Sequence, residues 1–336
     1  MKTYPVCLFF AALLAISCEN EIPFNLKENP PKLVMNALID AESRDNCLYL
    51  SLTGQTHTSP VTDATVEVRI NGQLRETVHA QPESPTDYFP NRYVITSAFS
   101  AGDVVRIDVL TPDGNYHAWA EETVPYPIHA IERVDTMSRY ISRYNYTERQ
   151  LQYKITFADR PDEPNFYRLV LETRTTSQQR AQSGRDTTAT YRYYSLINYE
   201  DVVLADGNPS TTEDRDNGIF DKVENKYSTF DDSRFTNASY TMTVYNRPFP
   251  DYDYYNPDSV FHVKTDVTVR LLSITKDEYY YLNALSTIDS DGYDDHINEP
   301  VRLPGNVNGG LGIVGFSTER RYKIDICDED IFSEND

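Results

Sequence analysis

The sequence lacks an excess of basic residues, and this excludes one class of partner. Its 336 residues include 52 Asp and Glu against 31 Lys and Arg, which gives a formal net charge of −21. Binding to nucleic acid, or to an anionic lipid surface through basic patches, requires a positively charged face. We therefore expect no nucleic-acid partner. A disordered chain is also excluded, because 39% of the residues are hydrophobic.

Long hydrophobic runs are almost absent. The one continuous apolar run is Val6–Ile16, eleven residues that follow Lys2. A helix that spans a bilayer needs about 20 apolar residues, so this run is too short to cross a membrane. Its length, the preceding positive charge and the small residues after it are typical of a secretory signal peptide. The sequence therefore predicts a mature chain without a transmembrane helix.

The end of this signal resembles a bacterial lipobox. Ala15, Ile16 and Ser17 lead into Cys18, and the resemblance implies cleavage before Cys18 and acylation of its thiol and new amine. Several acyl chains hold a protein on a membrane stably, whereas one chain does so only marginally. Residues 1–17 are therefore predicted to be a lipoprotein signal peptide and Cys18 the lipid anchor. The alternative is an ordinary secretory signal with a chance cysteine.

An acidic segment directly follows the predicted anchor. Glu19-Asn20-Glu21 resembles the export tag of surface lipoproteins of Bacteroidota. This resemblance implies an outer-membrane location and favours the cell surface over the periplasmic face. In an acidic protein, the alternative is that these residues carry no targeting information.

Cysteine is scarce outside the signal region. Cys7 lies in the signal peptide and Cys18 is the predicted anchor, so Cys47 and Cys327 are the remaining two. Without a CxxC pair they do not form a zinc framework. In a protein outside the cytosol they are candidates for a disulfide, with two unpaired thiols as the alternative.

Common catalytic motifs are missing as well. The sequence contains no GxSxG, HExxH or Walker A motif. Residues 310–315 read GLGIVG and match a bare GxGxxG, but no βαβ pattern surrounds them. We expect these glycines to permit a tight turn and a close approach of strands. The sequence thus predicts no catalytic residue and no cofactor.

Alternating apolar and polar residues predict an all-β protein. Val66, Val68 and Ile70 lie on one face of a strand that ends at Asn71-Gly72, the strongest short hairpin signal. Several such strands within about ninety residues are typical of an immunoglobulin-like sandwich. The predicted organisation is a tether over 18–30, an immunoglobulin-like β-sandwich over 31–126, a larger β-sandwich domain with one short helix over 127–330, and an acidic tail over 331–336.

The larger domain carries the one predicted helix. Thr275 and Glu278 match a capping box, and Tyr279, Leu282 and Leu285 form an apolar stripe at helical spacing, with an end near Thr287. Around this helix we expect an exposed excursion or hairpin tip over 174–190, a strand pattern over 191–204, and a closing hairpin or bulged strand pair made of 312–316 and 321–326.

Two surface segments are candidate sites. Tyr252, Tyr254 and Tyr255 lie in a Tyr-rich loop, and tyrosine suits recognition surfaces because it combines large contact area with a polar group. The alternative is that these rings pack over the sandwich rim. The second segment offers oxygen ligands of the kind that Ca²⁺ prefers, although its spacing fails the EF-hand pattern and a solvated acidic turn is the alternative. Its ligands would be Asp289, Asp291 and Asp294.

The C-terminal part of the chain resembles a known family. The segment Tyr279–Leu285, then Glu299-Pro300, then the Gly-rich run 305–315 resemble the closing signature of the domain-of-unknown-function 4249 lipoproteins of Bacteroidota. The resemblance implies an all-β outer-membrane lipoprotein encoded beside a TonB-dependent transporter of the nutrient-uptake kind. No catalytic residue is assigned to the family, so none is transferred.

Three functions follow from these features. The first is a non-enzymatic accessory or ligand-binding lipoprotein that partners a TonB-dependent nutrient transporter. The second is a surface hydrolase acting on glycans or peptides, which would need two carboxylates that converge in a pocket. The third is an adhesin or structural envelope protein with the immunoglobulin-like unit as a stalk.

Overall fold

The computed structural model describes the chain in segments separated by gaps. These segments are residues 30–54, 57–81, 92–142, 147–180, 186–211, 224–247, 260–290, 293 and 299–326. Residues Met1–Pro31 and Lys32–Asp336 form separate units, and the fold below belongs to the second unit. Its described residues are mostly strands with a single short helix, which confirms the all-β prediction.

The strands and the helix are named in chain order. The first eight strands are β1 (Leu33–Asp40), β2 (Asn46–Leu52), β3 (Ser59–Pro60), β4 (Thr65–Ile70), β5 (Gln73–Val78), β6 (Arg92–Ile95), β7 (Val104–Leu110) and β8 (His117–Thr123). The remaining elements are β9 (Ile131–Ser142), β10 (Thr147–Ala158), β11 (Phe166–Arg180), β12 (Asp186–Tyr193), β13 (Thr229–Asp231), β14 (Ser239–Asn246), β15 (Val260–Ile274), helix α1 (Lys276–Ile288) and β16 (Leu311–Ile326).

Three sheets contain these strands. The largest has the order β12-β11-β15-β16-β1-β2-β3, with β13 added to β11 and β6 added to β2. The others are β5-β4-β7-β8 and β14-β10-β9. Strands β1 and β16 pair in parallel, and the other strand pairs of the three sheets are antiparallel.

Two hydrophobic cores lie against the large sheet. One core combines strands β1, β2 and β6 with the four-stranded sheet, through side chains such as Met35, Leu48 and Ile107. The other combines β11 and β15 with the three-stranded sheet, through side chains such as Leu169, Val269 and Ile155. The buried residues of the first core lie before residue 126, apart from Val314 and Phe316 of β16. The buried residues of the second core lie after residue 126. The domain boundary at 126 stays a prediction.

Strand β16 runs through both halves of the large sheet. Its first part pairs with β1, from Leu311 opposite Val34 to Ser317 opposite Asp40. Its second part pairs with β15, from Ser317 to Ile326. The sequence analysis expected two short strands here, and that expectation is wrong because residues 317–320 continue the ladder without a turn. Residues 313–319 are buried in succession, as expected for a strand covered on both faces.

Glycines permit close contacts at two positions of the Gly-rich run, which confirms the close approach of strands predicted for them. Gly312 has φ +111°, and a Cβ there would collide with the carbonyl oxygen of Met35. Gly315 faces helix α1, where a Cβ would lie 2.5 Å from Oε2 of Glu278. The helix therefore packs directly on the backbone of β16 at Gly315.

The capping box predicted for this helix is wrong, although the helix begins and ends within a residue of the predicted positions. Thr275 is the N-cap residue, but its side chain makes no capping hydrogen bond. Its hydroxyl instead accepts from the backbone N–H of Phe316 at 3.5 Å. Glu278 points into the protein and is 2% exposed. The Thr275 hydroxyl is therefore engaged by the neighbouring strand and not by the first turn of the helix, and the carboxylate of Glu278 serves a tertiary contact.

Three other local predictions have mixed outcomes. The Asn71-Gly72 hairpin is confirmed, since these residues have φ of 51° and 79° between the paired Ile70 and Gln73. The excursion over 174–190 is a hairpin of β11 and β12 as far as it is described. The strand pattern predicted for 191–204 is wrong beyond Tyr193, because the carboxylate of Asp201 accepts hydrogen bonds from the backbone N–H groups of Val203 and Leu204 and forms turns.

We predict that Gly315→Ala lowers the free energy of unfolding, and that it does so by a smaller amount when Glu278 is replaced by Ala. The added methyl group would overlap the Glu278 side chain, and overpacking of this kind costs about 1–3 kcal/mol. The free energy of unfolding in urea is measured for Gly315→Ala, Glu278→Ala and the double variant. A Gly315→Ala cost that is the same in both backgrounds would contradict the contact.

Candidate ligand-binding cavity

A cavity of about 670 Å³ opens where helix α1 meets two loop segments. One wall comes from residues 198–210 after β12, a second from residues 224–234 around β13, and the third from α1. Ligand sites for small molecules have volumes of about 300–1,000 Å³. A smaller cavity of about 450 Å³ lies between the start of β1 and residues 302–312.

The helix contributes three polar side chains to the larger cavity. Tyr279, Asn283 and Ser286 lie at i, i+4 and i+7, so helical geometry places them on one face. The buried stripe of the helix is Glu278, Leu282 and Ser286 and not the apolar stripe expected from the sequence. Two polar residues thus lie in the buried stripe, and Ser286 belongs both to this stripe and to the cavity wall.

A chain of hydrogen bonds runs along the cavity wall. The Thr229 hydroxyl donates to Oδ1 of Asn283 at 2.5 Å. The Asn283 side chain hydrogen-bonds to Tyr279, whose hydroxyl lies 3.4 Å from Oδ2 of Asp231. Burial, followed by the charge of Asp231, raises the pKa of Tyr279, so this hydroxyl keeps its proton at neutral pH. The wall therefore presents neutral hydroxyl and amide groups beside one carboxylate.

The second wall is fixed by Asn225. Its amide group donates to the carbonyl oxygen of Thr229 at 2.7 Å, and its side-chain oxygen accepts from the Thr229 N–H at 3.0 Å. The same amide also donates to the carbonyl oxygen of Leu204. Asn225 thus pairs with Thr229 as a neighbouring strand would, and it connects the two loop segments.

The mouth of the cavity carries a pair of opposite charges. Arg234 Nη2 lies 3.4 Å from Oδ1 of Asp206, with 43% of the arginine side chain exposed and the aspartate side chain fully exposed. Gly207 has φ +81°, and its missing side chain leaves room for the Arg234 guanidinium. The guanidinium therefore lies flat over the loop backbone at the entrance.

One polar atom of the cavity is buried without a partner. Ser286 is 3% exposed, and its hydroxyl has no hydrogen-bond partner within the described residues. A buried hydroxyl without a partner carries a desolvation cost of about 1–3 kcal/mol. Because this oxygen is also closed to solvent, the cost falls on the folded chain.

A group of carboxyls lies on the other side of α1. Glu122 of β8 shares a hydrogen bond with Asp277 and also accepts from Asn306 at 2.7 Å. Burial is the main cause that raises the pKa of Glu122 to about 7. Burial also raises the pKa of Glu278 to about 7, against the opposing effect of the nearby Arg168 guanidinium and with a smaller contribution from Glu122.

Glu122 and Asp277 are two converging acids, as a hydrolase would require. Glu122, Asp277 and Glu278 line neither of the two cavities described above. Oε2 of Glu278 faces the backbone of Gly315 and lacks a hydrogen-bond partner within the described residues. The convergence therefore connects β8, α1 and β16 and lies apart from the two cavities described above.

Most of the sequence-predicted site residues lie outside the described residues. These are Cys18, Tyr252, Tyr254, Tyr255, Asp291, Asp294 and Cys327. The predicted anchor, contact loop, calcium site and disulfide therefore stay predictions.

Two of the predicted residues are described. Cys47 is half-buried on β2 opposite Val94. Asp289 is the C-cap residue of α1, and its Oδ2 accepts from the Tyr227 hydroxyl at 2.6 Å. Burial and this hydrogen bond raise the pKa of Tyr227 to about 12. Asp289 is thus engaged with a tyrosine in the described structure.

The sequence analysis missed the cavity. Some of its residues come from a segment predicted to be a strand, others from segments for which no role was predicted, and the rest from a helix face predicted to be apolar. The polar spacing of Tyr279, Asn283 and Ser286 is a signal that could have been found.

In the part of the chain that is described, no helix is long and apolar enough to cross a bilayer.

We predict that the free energy of unfolding falls as the pH rises from about 5 to 8. Between the unfolded pKa of 4.5 and the folded value of about 7, the native state binds more protons than the unfolded state, so stability decreases with pH. Glu278→Gln stays neutral and should reduce this slope, with an effect on the order of 2 kcal/mol at pH 8.

Urea unfolding at a series of pH values tests this dependence. The matched control is Glu132→Gln on β9, an exposed glutamate, which should leave the slope as in the wild type. A slope of the opposite sign, or one unchanged by Glu278→Gln, would show that this carboxyl is not held protonated by burial.

Comparison with known proteins gives a family and no characterised relative. No curated protein matches the sequence. A family model described as "Domain of unknown function (DUF4249)" matches residues 19–323, which include all the strands named above except the end of β16, together with α1 and the cavity. The chain therefore belongs to the DUF4249 family.

Proposed function

We propose that this protein is a lipid-anchored binding protein of the outer membrane that serves a TonB-dependent nutrient transporter. The chain belongs to the DUF4249 family, and the support for an accessory role is what the resemblance described in the sequence analysis implies. The lipobox-like residues before Cys18 and the acidic residues after it support the anchor and its membrane.

The observation that carries the binding role is the cavity beside α1. Its volume of about 670 Å³ suits a small molecule, and it is bounded by polar side chains that are held by hydrogen bonds to one another. Such preorganised walls need little rearrangement when a ligand binds. An accessory protein of a nutrient transporter would use this cavity to hold the nutrient at the membrane surface.

The lipid anchor is tested by replacing the residue that would carry it. Cells that express the full-length protein are fed a labelled fatty acid and fractionated. The wild type should be labelled and recovered with the outer membrane, and Cys18→Ser should be unlabelled because a hydroxyl is a weaker nucleophile than a thiol. Cys47→Ser is the matched control and should keep the label. An unmodified mature N-terminus in the mass spectrum of the wild type would refute the anchor.

The transporter partner is tested by mild crosslinking of intact cells followed by immunoprecipitation. We expect a large β-barrel protein of the TonB-dependent class to be recovered with the wild type, in an amount reduced for Cys18→Ser because the unanchored protein is not concentrated at the membrane. Recovery of soluble proteins alone, with the anchor intact, would contradict the partnership.

A further inference from the structure

The outer face of the large sheet carries a group of exposed apolar side chains. Alternate residues of β1 enter the first core, so Val34 and Leu38 point to the opposite face of the sheet. On that face Leu311 of β16 lies opposite Val34, and Tyr49 of β2 lies opposite Asn36. Leu38, Tyr49 and Leu311 are each 39–44% exposed. This part of the sheet is therefore apolar and open to solvent within the described structure.

The smaller cavity extends this surface. Val34 and Leu311 line it together with Tyr281 of α1 and with Leu303 and Pro304 of the loop before β16, and Leu303 is also exposed. Single exposed leucines are common on protein surfaces, whereas a contiguous group marks an interaction site. The residues that together form this apolar face are Val34, Leu38, Tyr49, Leu303 and Leu311.

Positive charge borders the apolar face. Arg302, which is exposed, is the one charged residue among the described residues that line the smaller cavity, and none of them is acidic. Lys32, also exposed, directly precedes β1. Long basic side chains lay their stems on apolar surface and carry their charge to the polar boundary. In a chain with a net charge of −21, two cations beside an apolar face favour a partner that presents apolar groups next to phosphate.

The place of this face in the chain indicates which partner is within reach. Leu33, the first residue of β1, comes 15 residues after Cys18 in the sequence. A chain of that length spans at most about 50 Å when it is fully extended. A lipid anchor at Cys18 would thus keep the start of β1 near the bilayer. Contact of the apolar face with lipid would then be an intramolecular event, for which a weakly binding surface is sufficient.

We propose that the apolar face rests on the lipid surface, with Leu38, Leu303 and Leu311 in the interfacial region and Arg302 at the phosphate groups. The inference rests on the proposed lipid anchor and adds the orientation of the anchored protein. Tyr49 suits the same boundary, because an aromatic ring with a hydroxyl group favours the interface between membrane and water. The contact is mainly apolar, so it needs no extended basic patch.

Site-specific fluorescent labels test the contact on the anchored protein. Full-length lipoprotein in which Cys47 and Cys327 are replaced by Ser is reconstituted in vesicles of phosphatidylcholine and phosphatidylethanolamine. An environment-sensitive label is attached through Leu303→Cys or, as the matched control, through Leu74→Cys on β5, which replaces another exposed leucine. Lipid that carries a doxyl quencher should remove emission from the label at 303 and leave the label at 74 unchanged.

Three results of this measurement would overturn the inference. The first is equal quenching at the two positions, and the second is no quenching at either. The third is an emission shift at 303 that depends on protein concentration and not on the quencher lipid, because a second copy or another protein would then cover the apolar face.

Variants show whether the side chains of the apolar face cause the quenching. Leu38→Asp places a charge in the contact, and Arg302→Glu reverses the charge that faces phosphate, so each should reduce the quenching at 303. The matched controls are Leu74→Asp and Arg75→Glu, two exposed positions on β5, which should leave it unchanged. The midpoint of urea unfolding is measured for every variant, and Arg302→Glu lies outside the strands in case Leu38→Asp disturbs β1. Quenching that neither variant reduces would refute the contact.

The orientation and the proposed anchor can fail separately. If Cys18 carries the labelled fatty acid but the label at 303 is not quenched, the orientation is refuted and the anchor stands. If the purified mature protein carries no lipid, but its label at 303 is quenched when the protein is added to the same vesicles, the apolar face is a lipid-binding surface and the anchor is refuted.

Discussion

The pairing of β16 with strands from both halves of the chain is the constraint on which the rest of the structure depends. Its first residues pair in parallel with β1, and its last residues pair with β15. Val314 and Phe316 enter the core around β1, whereas Ile326 enters the other. A strand buried on both faces leaves little room for side chains, which explains why Gly315 stands where α1 covers it.

The position of the cavity follows from this strand. Helix α1 is attached to β16 through the Thr275 backbone, whose N–H donates to the carbonyl oxygen of Phe316 at 3.1 Å, and through Glu278 at Gly315. With one face fixed on the sheet, the helix turns Tyr279 and Asn283 toward the loop segments. The Asn283–Thr229 hydrogen bond then connects the helix to β13. The cavity wall on α1 is therefore positioned by the sheet.

The sequence predicted features that depend on neighbouring residues and missed those that depend on distant ones. The alternation of Val66, Val68 and Ile70 and the Asn71-Gly72 turn are local and appear as predicted. The β1–β16 pairing joins residues such as Val34 and Leu311, and no periodicity encodes such a pairing. The local sequence predicts Glu278 to be a capping residue. Its burial against β16 depends on residues that are distant in the chain, so the local pattern does not show it. The cavity was missed for the same reason, because its walls come from three segments that are separated in the sequence.

The residues that carry the family resemblance and the residues of the cavity overlap on helix α1, where Tyr279 and Asn283 belong to both. The Gly-rich run over 305–315 serves to bring β16 close to β1 and α1. The mouth of the cavity is formed by Asp206 and Arg234, which belong to loops. Loops tolerate change more readily than the strands that position them. The Gly-rich run and the strands therefore position helix α1 and with it the cavity wall, whereas the side chains at the mouth lie on the loops, where substitution disturbs the fold least.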